Sequence, residues 1–100
     1  SPGNRNPSRG KGGGRDGQRM NHIAELVEQT VKLLVNEPDA VQVEHSADRS
    51  ATIYMVTVAP NDVGRVIGKD GRVISSVRQV ISGVGAKNRI KTVVKVQTND

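Results

Sequence analysis

One stretch of this 100-residue chain constrains the rest: Val66-Ile67-Gly68-Lys69-Asp70-Gly71-Arg72-Val73-Ile74. Two apolar residues run into a glycine, two charged residues separate it from a second glycine, and an arginine leads into apolar residues at helical spacing (Ile74, Val77, Ile81). The pattern predicts a helix, a tight turn and a second helix. Glycine at both ends of a two-residue bridge permits backbone angles and close approaches that a side chain would block, so a ligand can come right up to the main chain. The amides that open the second helix lack partners inside it and lie at the positive end of its dipole, which suits a phosphate oxygen. Lys69 and Arg72 add full charges beside them. The competing reading is a corner in which the glycines merely turn the chain.

Charge is distributed to match. The net charge is +5, yet residues 23–64 hold seven acids against Lys32 and Arg49, whereas residues 65–95 hold eight Lys and Arg against Asp70 alone. A basic patch on one side of a nearly neutral domain is the electrostatic footprint of nucleic-acid binding, with a lysine-rich solvated surface as the bland alternative. The single aromatic residue, Tyr54, argues against an RNA-binding platform built on stacking.

Other classes lose ground on composition. Without cysteine there is no disulfide and no thiolate metal site, which fits a reducing compartment. No apolar run approaches the roughly twenty residues of a membrane span, and no signal-peptide core is present, so a soluble intracellular protein is expected. The two histidines, His22 and His45, are isolated, and no paired carboxylates share a predicted face. Nothing builds a nucleophile, an acid–base pair or a metal site, so neither an enzyme nor a cofactor is expected. Gly64 to Gly68 has the wrong spacing for a P-loop.

Residues 1–20 are mostly Gly, Arg, Asn, Pro and Ser with almost no apolar side chain, which predicts a disordered tail ahead of a domain over 21–100. Its scattered arginines resemble RGG-like tails, which add salt-sensitive affinity for phosphates; a leftover of expression or an extended start are the alternatives, because Met20 sits at the edge of the ordered part. Gly12, Gly14 and Gly17 spell G-x-G-x-x-G, but with no strand before them this is no dinucleotide fingerprint.

From Asn21, a plausible N-cap, Ile23, Leu26, Val27, Thr30, Val31 and Leu34 form an amphipathic stripe that Pro38 closes. Val41, Val43 and His45 alternate with polar residues, residues 47–50 turn, and the β-branched run over 51–59 completes an antiparallel hairpin. Alternation leaves open which face of the second strand is buried; Tyr54, Val56 and Val58 are expected to face the core. Pro60 stops the strand, and Asn61 or Asp62 caps the short helix that leads to the glycines. Val73, Ile74, Val77, Val80 and Ile81 then bury one side of a helix expected to end at Gly83-Val84-Gly85, before a last strand over 90–98.

The extended form Val-Ile-Gly-x-x-Gly-x-x-Ile, as Val66 to Ile74 stand here, resembles the KH domain, whose GxxG loop clamps the backbone of about four nucleotides. The order of elements resembles the type II topology, α-β-β-α-α-β, an α+β fold with helices on one face of a three-stranded sheet. The single copy, Pro60 and the Asp62-Val63-Gly64-Arg65 lead-in resemble the bacterial KhpA family of small stand-alone KH proteins, over about residues 20–98.

That resemblance implies single-stranded RNA at Arg65, Val66, Ile67, Gly68, Lys69, Asp70, Gly71, Arg72, Ile74 and Arg78. Gly68 and Gly71 would admit the backbone, Lys69 and Arg72 would pair with phosphates, and a groove of Val66, Ile67 and Ile74 would hold unstacked bases. Asp70 departs from the most basic forms of the loop and should weaken the contact. The resemblance also implies a cytoplasmic RNA chaperone or regulatory RNA-binding protein tied to cell elongation and division. Its implied protein partners are a second copy and a larger KH-containing protein. An alternative stays open, in which the domain is a pairing module and the basic tail carries most of the RNA binding.

Overall fold

The computed structural model describes residues 14–98, with side chains from Gly17 onward. Most of the expected disordered tail, residues 1–13, lies outside the described residues. The first helix, α1 (Gly14–Lys32), starts seven residues ahead of Asn21, so Asn21 is an interior position and not a cap. The extra turns are held by packing: Met20 lies against the core and its carbonyl accepts a 3.3 Å hydrogen bond from the Tyr54 hydroxyl. Tertiary anchoring of this kind outweighs the poor helix propensity of Gly14 and Gly17. At the other end α1 stops at Lys32, before the 3-10 turn Pro38–Ala40.

Strands β1 (Gln42–Ala47) and β2 (Thr52–Thr57) pair antiparallel as expected, with Glu44 opposite Met55. Asp48 closes their turn by accepting hydrogen bonds from the Ser50 amide, the Ser50 hydroxyl and the Ala51 amide, which hold its carboxyl below the usual range. The last strand, β3 (Thr92–Val96), runs parallel to β2 in a sheet of order β1-β2-β3. Parallel neighbours need a crossover. Here it is supplied by α2 (Val63–Ile67) and α3 (Arg72–Lys87), which put the glycine loop between two helices.

The core lies between the helices and one face of the sheet. Ile23, Val27 and Val31 of α1 meet Tyr54 and Val56 of β2, Val66 of α2, Ile74, Val77 and Ile81 of α3, and Val94 of β3. The buried face of β2 is thus the Tyr54–Val56–Val58 face, as expected, with Ile53 and Met55 half-buried on the other.

α3 does not end at Gly83-Val84-Gly85. It runs through both glycines because Gly85 is a packing position: a Cβ there would meet the Ile90 carbonyl at 2.5 Å and the Thr92 methyl at 2.7 Å. The helix closes instead at Asn88 and Arg89. The Ile90 amide donates to the Gly85 carbonyl (2.7 Å) and the Arg89 amide to the Ala86 carbonyl (3.1 Å), with Arg89 at φ +61°. That is a Schellman closure with arginine where glycine is usual.

Candidate nucleic-acid interface

The site is a corner held from inside. α2 enters it with Val66 fully buried, and α3 leaves it with Ile74 and Val77 buried, so the two helices are clipped together beneath the loop. Lys69–Gly71 forms a single 3-10 turn, joined to its surroundings by Gly68 N to Gly64 O (2.8 Å) and Gly71 N to Gly68 O (3.1 Å). The Arg72 amide donates to the Lys69 carbonyl. The first amide of α3, which has no partner inside the helix, is thus used by the turn that precedes it. Those of Lys69 and Asp70, at the outer bend, take no part in these bonds.

The two glycines do different work. Gly68 has φ +78°, and a Cβ on it would run into the Val73 side chain and lie 2.9 Å from the Val73 amide. Its close approach is to the start of α3. Gly71 has φ +73° and open space where a Cβ would stand. Between them Asp70 also lies in the left-handed region, at φ +55° and ψ +26°. Aspartate is one of the few side chains that tolerate this region, so its place in the loop has a conformational reason besides its charge.

Lys69, Asp70 and Arg72 are exposed around the bend, and Ile67 is half-buried beside them. Val66 and Ile74 are core residues, which leaves Ile67 as the accessible member of the expected apolar groove. Arg65 donates to the Asn61 carbonyl at 3.1 Å and lies 3.4 Å from Asp62 Oδ1, so it is held along α2. Arg78, exposed on α3, donates through Nε to the Val94 carbonyl at 3.0 Å. It ties the helix to the free edge of β3, one turn beyond Ile74.

Asp62 does not cap α2 with its side chain. Only 1% exposed, it accepts hydrogen bonds from the amides of Asn36 (3.1 Å) and Glu37 (3.0 Å), in the chain that follows α1. The carboxylate thereby fixes the base of α2 to the rest of the fold. Sequence reasoning missed this role because an Asp after Pro-Asn reads equally well as a helix cap.

Among the described residues no group of three or more His, Asp or Glu is placed to hold a metal ion, and no helix is long and apolar enough to cross a membrane. Comparison with known proteins bears on what this corner belongs to. Residues 24–96 match the family model "KhpA/KhpB, KH domain". The RNA-binding protein KhpA of Clostridium acetobutylicum is 39% identical over 74 residues, covering 74% of this chain and 99% of that protein. KhpA of Caldanaerobacter subterraneus subsp. tengcongensis is 35% identical over the same share of each chain. KhpA of Chlamydia trachomatis is 32% identical, over 74% of this chain and 95% of its own length. With the sheet order, the glycine corner and these matches in agreement, the chain belongs to the KhpA/KhpB family of KH domains.

Proposed function

We propose that this chain binds single-stranded RNA by holding the phosphate backbone against the glycine loop. The observation that carries the reading is the loop itself: three positive-φ positions within four residues, Gly68, Asp70 and Gly71, make an exposed bend that carries Lys69 and leads into Arg72. Membership of the family and the name RNA-binding protein borne by its relatives support it. KH domains are binding modules, so the chain is not an enzyme. Gly71 lets the backbone come close, Lys69 and Arg72 neutralise phosphates, and Ile67 supplies apolar contact for an unstacked base. Affinity is then modest and salt-dependent, because phosphate contacts dominate it.

The test is titration of a mixed-sequence single-stranded RNA into the full chain and its Lys69→Asp variant at two salt concentrations. The reading expects a clear loss on Lys69→Asp and a salt slope shallower by about 0.7 for each phosphate contact removed. Unchanged binding would pass the activity to another part of the chain, the basic residues of 1–13 first.

A second reading concerns partners. Leu33 is 88% exposed and Val80 61% exposed, and Leu26, Thr30, Val80 and Val84 border the seam between α1 and α3. Large apolar side chains left in water favour pairing with another protein surface. We infer a second copy, or the KH domain of a larger protein, as the occupant; Val80→Asp should then lower the mass measured by light scattering without abolishing RNA binding. A cytoplasmic chaperone or regulatory role in cell elongation and division is the wider reading, supported by the family resemblance alone.

A further inference from the structure

At the end of the molecule away from the glycine loop, the start of α1, the β1–β2 turn and the α3–β3 connection enclose an open hollow of about 470 Å³. α3 spans the distance: its 16 residues rise about 24 Å between Arg72 at the loop and Lys87 at this end. Four cations line the hollow, Arg19, Arg49, Arg89 and Lys91, against one acid, Asp48. The Oδ1 of that acid is already committed to the Ser50 and Ala51 donors of its own turn.

The cations stand on fixed backbone. The Lys91 carbonyl accepts the Thr52 amide at 2.8 Å, Arg49 lies inside the turn that Asp48 closes, and Arg89 is the left-handed residue of the α3 closure. None is needed to satisfy the end of α3. The Val84, Gly85 and Ala86 carbonyls are taken by the main chain and by the Asn88 side chain, which donates to Val84 O at 2.8 Å. Among the described residues Arg49, Arg89 and Lys91 make no side-chain hydrogen bond or ion pair. A concave surface on which three cations make no side-chain pair, against the single carboxylate of Asp48, draws an anion with several acceptor oxygens.

We propose that this hollow is a second phosphate-binding site, holding the backbone of single-stranded RNA beyond the nucleotides seated at the glycine loop. It rests on the RNA-binding reading and extends it: the loop engages about four nucleotides, and a longer strand reaches the far end of α3 past the exposed Arg78.

The test compares two RNAs, of about four and about sixteen nucleotides, the range over which small binding folds engage single strands. The full chain is titrated at two salt concentrations alongside three variants: Arg49→Ala with Lys91→Ala, Lys32→Ala with Lys95→Ala, and Lys69→Asp. Arg49 and Lys91 are exposed, so their removal leaves the core intact. The proposal expects the Arg49/Lys91 variant to match the parent on the short RNA. On the long RNA it should lose about tenfold, with a salt slope shallower by about 1.4 for two lost contacts. The Lys32/Lys95 variant, equal in charge, should match the parent on both. Parental binding of the long RNA by the Arg49/Lys91 variant, or an equal loss in the Lys32/Lys95 variant, overturns the proposal. The Lys69→Asp arm on the short RNA judges the glycine-loop reading separately.

Discussion

Residues of the same type are doing unlike things in this corner, and single substitutions separate them. At Gly68 a methyl group meets the Val73 side chain and its amide, and the residue must also hold φ +78°. Overpacking and left-handed strain together should cost about 2–4 kcal/mol. Gly71 has the same kind of φ but open space around it, so Gly71→Ala should cost only about 1–2 kcal/mol. Urea unfolding of the two variants checks the order. Asp70→Asn keeps a side chain suited to φ +55° while removing the acid beside the phosphate path. Its stability should stay within about 0.5 kcal/mol of the parent, while RNA affinity rises by about two- to fivefold, the worth of one exposed charge contact. Asp70→Val would instead lose stability, because a β-branched residue resists the left-handed region.

At the scale of elements, buried polar contacts and helix ends govern the outcome. Removing the Asp62 carboxylate strands the amides of Asn36 and Glu37 at the foot of α2. Asp62→Ala should cost about 2–3 kcal/mol in chemical denaturation, since hydrogen bonds to a charged acceptor are at the strong end of the range. Arg89→Gly should do the reverse, raising stability by about 0.5–1 kcal/mol by relieving the left-handed arginine in the α3 closure. Most elements were legible in the sequence, because the hairpin, the glycine corner and the apolar stripes of α1 and α3 follow from periodicity. Their ends were not. The first turns of α1 are anchored by the Tyr54 hydroxyl on the Met20 carbonyl, and the end of α3 by the close approach of Ile90 to Gly85, contacts far apart in sequence or specific to the fold. The exposed loop charges were readable as candidates. The burial of Val66 and Ile74 and the anchoring of Arg65 and Arg78 depended on where α2 and β3 came to lie.

The whole molecule is a small core of mostly β-branched aliphatic residues beneath a basic rim, and the pH dependence expected of its stability comes from a half-buried histidine beside that core and an aspartate in the β1–β2 turn. His45 packs 5.7 Å from the ring of Tyr54, and burial holds its pKa below the ordinary 6.5. The unfolded chain then takes up the proton more readily than the folded one. Stability is full above pH 6.5 and falls as the pH drops from there towards the folded-state value; Asp48, held low by its turn, adds a further loss below about pH 3.8. Thermal unfolding across this range should show the first decline, and His45→Gln should remove it. The central claim is that the glycine loop is where RNA is held. Its most direct test follows backbone amide resonances of the full chain as a single-stranded RNA of about four nucleotides is added. The account predicts shifts concentrated at Gly68, Lys69, Asp70, Gly71 and Arg72. Shifts confined to residues 1–13, with the loop unmoved, would contradict it.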